Sequence, residues 1–416
     1  MTSPIVETQM RNGPLLLTHE MPMAQTVSLG IFLNVGSRDE SAVQAGMAHA
    51  LEHMLFKGTQ RHDVDALAEL LDRLGGTANA FTARERTCFH IRVLREDWRE
   101  ALQTLCDMVL QPTLPEDEWL REREVIYSEM AMAEDVPEDW MFDRHLEALY
   151  PGQKIGQMVL GSRDTLANFD RQSLAAFLDT YYRPPNMLIA ASGAVSHNEM
   201  LEFLNARDWP DGRAVERSVD VHIAGGIQYL ERDDEQAYFV ISLPGITAAS
   251  ADRPVAWLAN QMLGGGMSSR LFREVREKRG LAYGIASHLS GLSDTGAWSI
   301  SGSTDPARLG ECMAVVREVM QGFAFSINAD EFARALRQLE VSLRMGMDSC
   351  EANMLHLGNR FDEPEILPQD AWVAAIRAIS MDEVRDWAAA HLAQPALWTC
   401  SGPENALATL PDDLQA

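Results

Sequence analysis

The chain has 416 residues, 46% of them hydrophobic and 23% charged, the balance of a water-soluble globular protein. Its formal net charge of −26 argues against a nucleic-acid partner, because a phosphate backbone needs Lys and Arg. That charge is compatible with attracting basic peptides, or with solubility alone. The length exceeds one ordinary core, so two domains of about 200 residues are expected, and no apolar run reaches the roughly 18 residues that span a bilayer.

The N-terminal residues carry no basic region followed by an apolar one and no Arg-rich presequence, which predicts a cytoplasmic protein. The five cysteines, Cys88, Cys106, Cys312, Cys350 and Cys400, are scattered, with no C-x-x-C. They read as reduced thiols and argue against a Cys-type zinc site.

In chain order, residues 5–35 read as strands, with an Asn12-Gly13 turn between the first two. The apolar run MAHALEHMLFKGT follows, at residues 47–59. Within it, His49 and His53 are four apart and share a helix face, with Glu52 beside them. Two imidazoles hold a metal ion and a neighbouring carboxylate takes a proton from water, as in a catalytic zinc site. This H-x-x-E-H order inverts the commoner H-E-x-x-H and marks the inverzincins. The plain alternative is two helix-face histidines and a surface glutamate.

Residues 64–74 have helical spacing and stop at Gly75-Gly76. Residues 77–92 read as strand, turn at 83–86 and returning strand, and 97–110 as an amphipathic helix closed by Pro112. The next helix, opened by Pro115, Glu116 and Asp117, places Glu122 and Glu129 seven apart on one face. Either could supply the third ligand that a catalytic zinc needs. Residues 162–181 lean helical, and 186–194 form the last strand of the first half. Residues 206–217, charged and with Pro and Gly, form the linker. The predicted organisation is therefore a domain over 1–205, a linker over 206–217 and a second domain over 218–416.

The second half reads as a worn copy of the first. Residues 228–244 are strand-like. Residues 255–264 align with 47–56, so that Trp257, Asn260 and Gln261 stand where His49, Glu52 and His53 stand, and no metal is expected there. A helix over 269–279, a strand over 280–290, long helices over 305–323 and 328–345, a helix over 381–392 and a strand over 398–401 complete the reading.

H-x-x-E-H, a Glu 76 residues after His53 (129 minus 53) and another Glu seven before it are similar to the pitrilysin-type zinc metallopeptidases. The segments GSRDES, HMLFKGT, GGTANAFTARE and EREVIYSEM agree, and the likeness covers about residues 5–402. The short branch with the mitochondrial processing peptidase beta subunit and its bacterial homologues is the nearest in pattern. The resemblance implies an α+β fold of two homologous domains of the processing-peptidase (LuxS/MPP-like) type. Each has an antiparallel-rich sheet with helices packed on one face. It implies one Zn2+ per chain on His49, His53 and Glu129, Glu52 as general base, and Glu122 orienting a ligand. Asn79, Ala80 and Phe81 would be an edge that binds peptide by strand addition, and Phe56 would line the pocket past the cut bond. Asp139 and Asp143 stand roughly where that branch recognises an arginine, although surface charge also explains them. Arg276 and Tyr283, from the metal-free half, would contact the substrate or the oxyanion.

The implied activity is a zinc endopeptidase acting on unfolded peptides, basic ones included, or leader segments inside a chamber closed by two chains. Because one chain carries both the metal motif and the Arg/Tyr pair, a homodimer is expected, and a heterodimer with a related chain is the alternative. Two other readings remain, a peptidase that needs a different partner for peptide maturation and a non-catalytic scaffold. The cytoplasm of a bacterium is the expected location.

Overall fold

A computed structural model of the chain describes residues 4–217, 220–363 and 365–411. Six strands form the first sheet: β1 (Ile5–Gln9), β2 (Leu15–Glu20), β3 (Thr26–Leu33), β4 (Asn79–Thr82), β5 (Thr87–Leu94) and β6 (Met187–Gly193). Their order is β1-β2-β6-β3-β5-β4, so β4 is an edge. Only β2 and β6 run parallel. The Asn-Gly signal lies in the turn between β1 and β2, where Asn12 adopts a φ of 56°.

The second sheet holds β7 (Gly226–Glu231), β8 (Ala237–Pro244), β9 (Ala282–Gly291), β10 (Gly296–Thr304) and β11 (Leu397–Gly402), in the order β7-β11-β8-β10-β9. Its β7/β11 pair is parallel and the rest antiparallel. This is the pairing pattern of β2-β6-β3-β5-β4. Each second-sheet strand starts about 200–210 residues after its counterpart, beginning with β7 after β2 (226 minus 15). The expected repeat is therefore visible as repeated topology.

In β3 the pleat sends Val27, Leu29, Ile31 and Leu33 to one face, where they join the core beneath the helices Met47–Met54, Trp98–Leu110 and Arg171–Tyr181. Phe32 turns to the other face, with Leu17, Cys88, Leu188 and Ala190. That face is also covered: Met354 and Leu357 of the helix Cys350–Leu357 pack on it. Gly30 permits the approach, since a Cβ there would meet Met354 Sδ at 2.5 Å. Helices on one face thus describe the first half's own helices, and a helix from late in the sequence covers the other side. Strands covered on both faces lose the polar/apolar alternation and become continuous apolar runs, as β6 does.

The compact units are accordingly not simple halves. The first comprises Met1–Met132, Gln157–Ser218 and Gly346–Pro368, and the second Ala133–Gly156, Val219–Met345 and Gln369–Ala416. A division at residues 206–217 does not anticipate either transferred segment. The helix Pro137–Leu149 packs on the second sheet, where His145 is fully buried. Its Nδ1 bonds Thr399 Oγ1 at 2.8 Å and its Nε2 bonds Ser242 Oγ at 2.7 Å.

Two further expectations differ in detail. The stretch 162–181 is two helices, Arg163–Ala167 and Arg171–Tyr181, because Asp170 caps the second by accepting from Ser173 N at 2.8 Å. The expected helix over 269–279 winds as a π-helix over Phe272–Glu277. All five cysteines are buried and free. Among the described residues no helix is long and apolar enough to cross a membrane.

Candidate metal centre and active site

The helix Met47–Met54 buries Met47, Ala48, Ala50, Leu51 and Met54 and so turns His49, Glu52 and His53 along its remaining face. Its N-terminus is held by Glu40, whose carboxylate accepts from Gly46 N at 2.8 Å and Ala48 N at 2.7 Å. Burial pushes the Glu40 carboxyl up, against those amide bonds. Asp39, next to it, receives two bonds from Arg217, at 2.8 and 2.9 Å, and Arg38 pairs with Glu85. The GSRDES segment is thus a polar cradle beneath the helix that carries the motif.

Glu129 comes from the helix Glu116–Asp135. Its Oε2 lies 3.8 Å from His49 Nε2 and 3.4 Å from His53 Nε2. One ligand atom from each of these three residues lies within 4.8 Å of the others, the one such convergence among the described residues. Glu122, two turns before Glu129, accepts from His53 Nδ1 at 2.9 Å and pairs with Lys57 Nζ at 2.6 Å. A carboxylate accepting at Nδ1 fixes the tautomer that leaves Nε2 free towards Glu129.

The residues fit a zinc ion. His49 Nδ1 is buried without a hydrogen-bond partner, and its Nε2 faces the Glu129 carboxylate. Burial, reinforced by His53, lowers the His49 pKa to about 4, keeping the imidazole in its neutral, ligating form. For His53, burial works in the same direction but is outweighed by the Glu122 hydrogen bond and the Glu129 charge, so its pKa rises. The Glu122 carboxyl is lowered, first by that bond with His53. A divalent cation would displace the His53 proton, since metal binding competes with protons for the same nitrogen.

Glu52 is not in the ligand cluster. Burial raises its pKa, and Thr82 Oγ1 donates to its Oε2 at 2.5 Å. Phe56 is half-buried, its ring 6.2 Å from that of Phe89. On the edge strand, Asn79 is exposed and its Oδ1 accepts from Ala80 N at 2.9 Å, Ala80 packs on the core, and Phe81 is exposed.

Asp139 and Asp143 lie on Pro137–Leu149, which belongs to the second unit rather than to the unit that holds His49, His53 and Glu129. Arg276 and Tyr283, also in the second unit, meet each other. The guanidinium stacks 4.6 Å from the Tyr283 ring centre, and Nη1 donates to Tyr283 O at 2.6 Å. Tyr283 is 82% exposed. The counterparts of the motif serve packing: Trp257 packs against Trp372 with the rings tilted by 58°, and Asn260 Oδ1 accepts from Trp298 Nε1 at 3.0 Å.

Glu40, Lys57, Thr82 and Arg217 were not singled out from the sequence. Alternation along the predicted strand at 77–92 puts Thr82 on the same face as Ala80, which was a usable signal. Nothing local links Arg217 to Asp39, 178 residues away.

Comparison with known proteins identifies the family. A profile described as insulinase (peptidase family M16) matches residues 15–163, and one described as peptidase M16 inactive domain matches 168–339. A protein named uncharacterized zinc protease from Streptomyces coelicolor is 33% identical, over 91% of this chain and 85% of its own. The Bacillus subtilis protein named uncharacterized zinc protease YmxG is 31% identical, over 84% of this chain and 86% of its own. A crystal structure of a peptidase M16 inactive domain from Pseudomonas fluorescens superposes with a TM-score of 0.89 at 22% identity, covering 96% of this chain and 98% of that one. A protease structure from Helicobacter pylori gives 0.88 at 18% identity, covering 96% and 100%. The chain belongs to the M16 peptidase family, the short pitrilysin-type bacterial branch.

Proposed function

We propose that the chain is a zinc-dependent endopeptidase for unfolded peptides. The observation that carries this reading is the convergence of His49, His53 and Glu129, with Glu122 orienting His53 and Glu52 close by but outside the ligand set. His49, His53 and Glu129 would hold one zinc ion. When bound, it supplies a Lewis acid for water and for a peptide carbonyl.

The chain's own groups do the rest. Glu52, its pKa raised by burial, takes a proton from the attacking water and returns it to the leaving amine. The β4 edge offers main-chain groups to an extended peptide, and Asn79 exchanges its bond to Ala80 N for one to the substrate backbone. Phe56 lines the side-chain pocket beyond the cut bond. Arg276 and Tyr283 donate hydrogen bonds to the developing oxyanion. Asp139 and Asp143 favour a basic residue in the peptide.

A chamber closed by two copies of the chain, in the bacterial cytoplasm, completes the reading. The chain carries both the metal set and the Arg/Tyr pair, which supports a homodimer. The test is cleavage of a mixed peptide set by the purified chain, read by mass spectrometry beside Glu52→Gln. Cleavage by wild type and none by the variant is expected. An inert zinc-loaded wild type would sink the reading of a self-sufficient peptidase.

A further inference from the structure

Thr82 ends the edge strand β4, opposite Thr87 of β5. It shares a strand face with Ala80, which packs on the core and anchors that side of the strand. From this position its hydroxyl reaches a glutamate 30 residues earlier, donating to Glu52 Oε2 at 2.5 Å. A glutamate side chain has several free torsions, and a carboxylate held by one short bond from a β-branched, conformationally stiff residue loses most of them.

The opposite side of the same strand is arranged to receive a ligand. β4 has a strand partner on one side only, and on the open side the amide of Ala80 is capped by its neighbour's side-chain oxygen at 2.9 Å. An incoming backbone that takes this amide must displace Asn79 Oδ1, three residues from Thr82. One short strand therefore carries a peptide-accepting edge and the hydroxyl that aims the carboxylate.

We propose that Thr82 is a positioning residue for Glu52, so that the strand on which the peptide is laid also sets the aim of the proton acceptor. This inference rests on the peptidase reading above. It requires the hydroxyl to affect turnover and not peptide binding. Thr82→Val keeps the shape and removes the donor, and Thr82→Ser keeps the donor.

The expected result for Thr82→Val is a fall in kcat of about tenfold with KM and zinc content unchanged, below the roughly 100-fold that a full ~1 Å misplacement of a reacting group can cost. Thr82→Ser should recover most of the loss. A labelled peptide should bind Glu52→Gln and Glu52→Gln/Thr82→Val equally well. A kcat for the Val variant within about twofold of wild type, a rise in KM matching the fall in kcat, or a Ser variant no better than Val would overturn the proposal. An absence of Glu52-dependent cleavage in wild type speaks against the peptidase reading instead. In that case crystal structures decide the role of Thr82 without turnover: the Val variant should show the Glu52 carboxylate displaced, and one left in place overturns the proposal.

Discussion

Glu122 is the residue whose role depends most directly on geometry. It is 8% exposed and sits between His53 Nδ1, at 2.9 Å, and Lys57 Nζ, at 2.6 Å. Glu122→Gln keeps an oxygen for Nδ1 but removes the charge, while Glu122→Leu removes both and strands a half-buried ammonium and an imidazole N–H. A hydrogen bond to a charged group is worth about 1.5–3 kcal/mol. Loss of a residue that orients a metal-bound histidine costs about 10–100-fold in metal affinity, or about 1.4–2.7 kcal/mol, so the two estimates agree. Glu122→Gln should therefore weaken zinc about tenfold and Glu122→Leu towards 100-fold. The assay is competition for zinc against a chromogenic chelator, with melting curves to confirm that the variants fold. A folded Leu variant that binds zinc within about twofold of wild type would refute the orienting role.

Other consequences can be checked separately. A chelator should abolish peptide cleavage and added zinc restore it, whereas Glu52→Gln should lose cleavage but still titrate one zinc per chain. Replacing Glu40 by Ala leaves the buried amides of Gly46 and Ala48 unpaired, at a cost of about 2 kcal/mol read by denaturant unfolding. An unchanged midpoint would argue against the cap. Arg217→Met strands the buried Asp39 and should cost about 3 kcal/mol. His145 is buried neutral, and burial lowers its pKa to about 4 from 6.5. Between those values the unfolded chain holds a proton that the folded chain excludes, so its contribution is complete above pH 6.5 and is lost as pH falls towards 4. The loss amounts to about 3 kcal/mol. His145→Gln should flatten the pH dependence of the second unit's unfolding over that range, and an unaltered slope would count against it.

The histidine pair of the candidate site was legible because a helix repeats locally. His49 and His53 lie one turn apart within an apolar run, and Glu122 and Glu129 two turns apart on the next acidic helix. The hairpin of β4 and β5, with its turn at residues 83–86, was legible from strand periodicity between turn residues. The stop of the helix Val64–Arg73 was legible from Gly75 and Gly76, which adopt φ of 120° and 62°. Choosing Glu129 over Glu122 as the candidate third ligand needed the likeness to a known family as well, since spacing alone left the two equivalent.

Other features depended on contacts between distant residues and had no local signature. Glu122 and Glu129 acquire different roles only when their helix lies beside the motif helix, which puts one carboxylate on His53 Nδ1 and the other near both Nε2 atoms. The bond from Thr82 to Glu52 and the clamp of Arg217 on Asp39 arise in the same way. The same holds for the helix Cys350–Leu357, which covers the far face of a sheet whose strands all precede residue 194. By itself the sequence determined the periodic elements, the candidate metal-ligating residue types and the repeat, because each is written in spacings of a few residues or in a copied order of elements. The tertiary structure alone decided which carboxylate faces which nitrogen and which helix covers which sheet, because those outcomes depend on packing between segments tens to hundreds of residues apart.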